Sequence, residues 1–208
     1  MNEGKDYTRR IIDNAVREDR KDIGYLEDEL ELIDVDDLSY FYKERENNIF
    51  NIFLTSKSYY LLLQMLNKAM LNQNLRNGYS LASAVVCNPH LRQFQKIIVL
   101  RKMLNLGFNI NWRDKNKETI LYQSIRRNLK EISIFLLENQ ANPNIGNEFN
   151  VTPLMIAGYN DMIYLSSLLI YYGADINAKT KINNLSIKDI IRESIGFNVE
   201  NLMTEFND

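Results

Sequence analysis

Apolar residues between positions 154 and 172 recur at helical spacing: Leu154, Ile156 and Ala157, then, after a polar break at Asn160-Asp161, Leu165, Leu168 and Leu169. The pattern predicts two short helices, each with an apolar face to bury. Pro153 stands early in the first, where its missing N–H leaves no hydrogen bond unmade. Gly173 stands at the exit of the second, where left-handed backbone is favoured. The same arrangement recurs upstream at a 33-residue offset. Thr119-Ile120-Leu121 matches Thr152-Pro153-Leu154, and Gln140-Ala141-Asn142-Pro143-Asn144 matches Gly173-Ala174-Asp175-Ile176-Asn177. There Leu121 and Ser124 fall in the first helix and Ile132, Phe135, Leu136 and Leu137 in the second, with Gln140 as a more costly exit than glycine.

A unit this short cannot bury its apolar face alone, so it must stack on neighbours. One unit earlier, Gly107-Phe108-Asn109-Ile110-Asn111 repeats the exit, and Gly78-Tyr79-Ser80-Leu81-Ala82 opens a first helix. The step from Ser80 to Met103 is six residues longer than the equivalent step from Thr119 to Leu136, an insertion that falls around Cys87 to Lys96. Asn88-Pro89 is a helix-start signal, which assigns the extra length to the second helix. Downstream, Asn183-Asn184-Leu185-Ser186-Ile187 stands one further repeat length after Asn150 to Leu154. In the first third, Ile11-Ile12, Ala15-Val16, Ile23, Leu26 and Leu32-Ile33 are more irregular, followed by apolar runs at Ile49 to Leu54 and Tyr60 to Leu66.

The segment Val151-Thr152-Pro153-Leu154-Met155-Ile156-Ala157, with Leu168-Leu169-Ile170-Tyr171-Tyr172-Gly173-Ala174-Asp175-Ile176-Asn177-Ala178 behind it, resembles an ankyrin repeat. It departs from that family's pattern at Met155, usually histidine, and at Gly158, usually alanine. The resemblance covers roughly residues 105–190 closely and is degenerate before 75. It implies an all-α ankyrin-repeat solenoid of about six helix-turn-helix units joined by short β-hairpins. A single domain over 1–208 would comprise an N-terminal cap (1–36), a diverged unit (37–74), a unit with inserted residues (75–113), regular units at 114–146 and 147–179, and a C-terminal cap (180–208).

The resemblance further implies that a protein partner is bound on the concave side, by hairpin tips and first helices, and is blocked or tethered there. Carried through the register, the tips present Trp112-Arg113, Lys115-Asn116 and Glu118, then Glu148-Phe149 and Val151, then Lys181-Ile182. The first helices present Tyr122, Arg126 and Arg127, then Met155, Tyr159 and Asn160. Trp112, Phe149 and Tyr159 beside Arg126 and Arg127 make an expected hot strip, since interface hot spots favour Trp, Tyr and Arg. On that expectation, Trp112→Ala and Arg126→Ala weaken binding at nearly unchanged melting temperature. The competing expectation is that Trp112 folds onto its own hairpin and Phe149 packs between repeats.

Charge adds an asymmetry. Net charge is −2, but residues 1–46 hold 15 acidic and 8 basic side chains, leaving 12 acidic and 17 basic for residues 47–208. Such a gradient orients a charged partner, or marks a well-solvated cap. A nucleic-acid partner would call for a broader basic stripe and a more basic chain. Asp34, Asp36 and Asp37 lack the spacing of a calcium loop and read as an acidic hairpin end. Cys87 and His90, the only residues of their kinds, are too few for a disulfide or a zinc site, and Pro89 between them disfavours a catalytic pairing. The isolated glycines form no phosphate loop, so no catalysis, cofactor or metal is expected. The abundant asparagine reads as the composition of an AT-rich coding sequence. Apolar runs such as Tyr59 to Leu63 are far shorter than the ~18 residues of a membrane span. With no secretory signal at the start, the expected location is cytoplasmic, or a host cytoplasm for a delivered effector. The expected role is an inhibitor, immunity-type or adaptor protein, monomeric alone. The alternatives are an effector that captures a host protein and a self-associating structural subunit.

Overall fold

The computed structural model describes residues 78–187 and 189, together with Leu62, Leu63, Leu66 and Leu71. The expected N-terminal cap, most of the diverged unit, the Asp34–Asp37 cluster and the end of the C-terminal cap lie outside the described residues. The chain divides into two compact units, residues 1–109 and 110–208.

In the first unit, α1 (Leu81–Cys87) packs against α2 (Gln93–Asn105). The Ser80 hydroxyl caps α1 by accepting from Ser83 N at 3.1 Å. Leu81, Ala82, Ala84, Val85 and Val86 of α1 and Val99, Leu100 and Met103 of α2 are buried. The buried Lys96 donates from Nζ to the Val86 carbonyl at 2.9 Å, tying α2 to the end of α1.

The insertion is resolved differently from the simple expectation. Helix α2 has 13 residues where the later second helices have 9, so four inserted residues lengthen it. The other two enlarge the turn. Helix α2 starts at Gln93 rather than at Pro89, because the Asn88 side chain is spent on that turn: its Oδ1 accepts from His90 N at 2.7 Å and Leu91 N at 3.1 Å. Gln95 Oε1 accepts from Arg92 N instead, at the true helix start.

The second unit holds α3 (Ile120–Arg126), α4 (Lys130–Glu138), α5 (Pro153–Tyr159) and α6 (Ile163–Tyr171). Within each repeat the two helices pack on one another across a tight turn, and successive repeats stack α3 on α5 and α4 on α6. Thr119 and Thr152 cap the first helices through Tyr122 N at 3.2 Å and Met155 N at 3.3 Å. The turns into the second helices pass through left-handed Asn128 and Asp161, residues that tolerate that conformation. Between the helix layers Leu121, Ile125, Ile132, Leu136, Leu154, Ala157, Leu165 and Leu169 are at most 2 % exposed. Each large one of these contributes on the order of 1.5–3 kcal/mol by burial.

Second helices end alike. Gly107, Gln140 and Gly173 have φ of +92°, +67° and +86°. In each case the following N–H, of Phe108, Ala141 or Ala174, reaches back to the carbonyl of Met103, Leu136 or Leu169, and its side chain is buried. Among the described residues the connections are turns, with one isolated antiparallel bridge between Lys179 and Ser186 in place of hairpin strands.

Candidate functional site

The tip loops are held open by side chains that recur at the repeat spacing. Asp114 Oδ1 accepts from Asn116 N and Glu118 N at 2.9 and 3.0 Å. Asn147 Oδ1 accepts from Phe149 N and Val151 N, both at 3.0 Å. Thr180 Oγ1 accepts from Leu185 N at 3.0 Å. Each loop also closes through its backbone, Asp114 N to Glu118 O, Asn147 N to Val151 O, Thr180 N to Leu185 O. The third closure reaches one residue further than the first two, and both Asn183 and Asn184 are left-handed where Lys117 and Asn150 stand alone. The next helix is therefore capped at Ser186, with Ser186 N and Oγ donating to Asp189 Oδ2. The repeat spacing counted from Thr152 would put that cap at Leu185, so the strict register fails there by one position.

Successive tips are stitched together. Asn144 Oδ1 accepts from Asp175 N at 2.7 Å just as Asn111 Oδ1 accepts from Asn142 N at 2.9 Å. Asn150 Nδ2 donates to Lys179 O. Arg113 donates from Nε to Lys117 O and from Nη2 to Gly146 O, both at 2.9 Å. Lys181 donates its N–H to Phe149 O at 2.9 Å and its ammonium to Glu148 O at 3.0 Å. Gly146 is required by close approach, since a Cβ would stand 2.9 Å from the Asn150 carbonyl carbon and the Val151 oxygen.

The front of the first regular unit is a polar network in which only the buried Gln123 Oε1 lacks a hydrogen-bond partner. Glu118, 6 % exposed, pairs with Arg126 Nη2 at 3.0 Å. Gln123 Nε2 donates to Asp114 Oδ2 at 2.8 Å, and Asn147 Nδ2 donates to the Tyr122 hydroxyl at 3.1 Å. Desolvation raises the Asp114 carboxyl above the ordinary range, against the pull of its backbone donors. Desolvation also raises Glu118, against the opposing charge of Arg126. Burial, and next the Glu118 carboxylate, push the Tyr122 hydroxyl up to about 12.

One unit on, the equivalent positions are apolar. Val151 stands for Glu118, Met155 for Tyr122, Ile156 for Gln123 and Tyr159 for Arg126. With Phe149 from one tip and Ile182 and Leu185 from the next they line a groove of about 430 Å³. Phe149, Tyr159 and Ile182 remain 45 %, 66 % and 53 % exposed, so the groove is an apolar surface open to solvent. Its size falls in the range of ligand clefts, ~300–1,000 Å³.

The expected strip is thus redrawn. Phe149 and Tyr159 come together in the groove; Trp112 is half-buried and is not among the lining side chains. Glu118 is buried and spent on Arg126, and Tyr122 and Met155, taken as surface positions, are 4 % and 1 % exposed. Glu118 is held down by Arg126 of its own repeat, Tyr122 reaches across to Asn147 of the next, and Met155 forms the floor of the groove. Arg113 and Lys181 are exposed but serve as staples between tips. Lys115, Arg127, Glu148 and Asn160 are exposed, Asn160 also returning Nδ2 to the Ile156 carbonyl at 2.9 Å. Ile156, expected with Leu154 and Ala157 on the buried face of its helix, is instead half-exposed and walls the groove, as does Leu185, for which the sequence assigns no surface role. Some of the abundant asparagines have structural work. Asn111 and Asn144, at repeat spacing, hold adjacent repeats together.

Three copies of an ankyrin-repeat family model match residues 81–180. Residues 81–180 are ankyrin repeats. It is 37 % identical over 100 residues to a protein of Rickettsia felis described as an ankyrin repeat protein, a match covering 41 % of this chain and 44 % of the relative. The chain thus matches less than half the length of that relative. Ankyrin repeats are generally protein-interaction modules, and the tips and first helices described above are the repeating surface of this array. No helix among the described residues is long and apolar enough to cross a membrane.

Proposed function

We propose that the ankyrin array binds one protein partner at the groove between the tips at 147–151 and 180–185 and helix α5, and that it acts by blocking or tethering that partner rather than by catalysis. The observation that carries this reading is the open apolar groove with three exposed large side chains, Phe149, Tyr159 and Ile182, rimmed by polar tips. Apolar anchors in a pocket with a polar rim are the usual anatomy of a hot spot. An inhibitor, immunity-type or adaptor role follows from simple occlusion of whatever the partner offers to this face.

A photo-crosslinking residue placed at position 159, compared with one at Tyr171 on the opposite helix layer, tests the site in the native cell. The expected outcome is one stoichiometric protein adduct from position 159 and none of that mass from position 171. Equal adducts from both, or an adduct from 171 alone, would move the interface to the second helices, where Ile163, Tyr164 and Tyr171 are also exposed.

A further inference from the structure

The charge around the groove narrows what fits it. On the tips and first helices of the second unit the exposed cations outside the Glu118–Arg126 pair include Lys115, Lys117, Arg127, Lys179 and Lys181, against the exposed carboxylates Glu148, Asp161 and Asp175. Two further carboxylates of this face are engaged within the fold. Asp114 and Glu118 are buried, turned inward onto Gln123 and Arg126. Glu131 and Glu138 belong to α4, on the other helix layer. The face is therefore basic in a chain whose net charge is −2. An apolar slot flanked by cations selects by both terms together: the slot rewards buried side chains, and the rim favours negative charge and repels positive.

We infer that the occupant is an acidic protein segment with apolar anchors, whose hydrophobic side chains enter between Phe149, Tyr159 and Ile182 while its carboxylates meet the flanking lysines and arginines. This rests on the groove being the binding face. Apolar surface lines the slot itself, so polyanions without apolar side chains lack its main contact. A basic partner meets repulsion at Lys179, Lys181 and Arg127. A neutral apolar segment fits the slot and forgoes the steering that raises association rates at low salt.

The test is selection from a random peptide display library on the full chain, followed by affinity measurements on the selected peptides. Enriched sequences are expected to combine Asp or Glu with Leu, Ile, Phe or Trp. The selected peptide is expected to bind at least about ten-fold more weakly to Ile182→Asp and to weaken progressively with salt. The salt dependence is expected to flatten in the double variant Arg127→Glu, Lys179→Glu, whose positions are exposed and outside the core. Selection of neutral or basic peptides that still fail to bind Ile182→Asp would overturn the acidic class and leave the groove as the site. Selected peptides indifferent to Ile182→Asp, or no enrichment at all, would overturn both. A single-stranded oligonucleotide that binds as tightly as the peptide and displaces it would show that charge alone is read, and would also overturn the inference.

Discussion

Two neighbouring repeats with one backbone present opposite chemistry on the same face. In the unit at 114–146, Glu118, Gln123 and Arg126 close the front with charge-assisted hydrogen bonds, and Asp114 holds both the tip and Gln123. In the unit at 147–179 the corresponding Val151, Ile156 and Tyr159 make no such bonds and leave a groove. The difference separates two tasks that a repeat surface can perform. A polar network paired largely within the fold stiffens and specifies the stack, while an apolar surface left without an internal partner is available to an external one.

The largest effect is expected where the polar network is cut. Asp114→Ala removes the acceptor of two backbone N–H groups and of Gln123, and should cost about 3 kcal/mol in urea unfolding. Asp114→Asn, which keeps Oδ1, should cost clearly less; equal losses would mean that the hydrogen bonds are not what matters.

Next come Arg126→Ala and its positional equivalent. Arg126→Ala strands the Glu118 carboxylate, whose side chain is 7 % exposed, and is expected to destabilise by about 1–3 kcal/mol. Tyr159→Ala, at a position 66 % exposed, should change stability by less than about 0.5 kcal/mol while weakening partner binding. Sequence alone makes Arg126 a surface position whose loss spares the melting temperature, and its pairing with the buried Glu118 reverses that expectation.

The same contrast runs into the layer behind. Ser133 Oγ pairs with Ser124 Oγ at 2.9 Å and donates to Leu129 O, whereas at the matching positions Ser166 is paired in register with Ala157 and its buried hydroxyl has no partner. Ser133→Ala should lose about 1 kcal/mol and Ser166→Ala should be neutral or gain up to about 1 kcal/mol. Matching losses at the two serines would contradict the assignment.

The smallest effect is a slope with pH. Because burial raises Glu118 in the folded state above its ordinary 4.5, the folded protein holds that proton more tightly than the unfolded chain does. Stability from this group is then greatest at low pH and declines as pH rises from about 4.5 through the folded value. Glu118→Gln lacks this group, so its stability relative to the unsubstituted protein should improve as pH rises through that window. A flat or opposite difference in urea melts at successive pH values would show that the Arg126 pairing outweighs burial.

Much of this architecture was legible from the chain. Helix starts at Ser80, Thr119 and Thr152 and exits at Gly107, Gln140 and Gly173 are local chemistry repeated at fixed spacing, and local chemistry is what a sequence displays. Burial of Glu118, Tyr122 and Met155 was not legible, because it depends on side chains distant along the chain, such as Arg126 over Glu118 and Asn147 against Tyr122. Neither was the extra residue in the last tip, because the sequence does not display that Asn183 and Asn184 are both left-handed. Phe149 and Tyr159 were correctly singled out as exposed, but their grouping with Ile182 rather than with Trp112 needed the tips in place.

The contrast between the two units can be erased by transplant. Val151→Glu, Ile156→Gln and Tyr159→Arg together copy the first unit's front onto the second, at positions that are exposed or half-buried. The measurement is the affinity of this triple variant for a peptide selected on the unsubstituted chain, with its helical circular dichroism and unfolding midpoint alongside. A folded protein whose affinity falls by more than about ten-fold is expected. A folded triple variant that binds as tightly as the unsubstituted chain would contradict the assignment of the groove as the binding face.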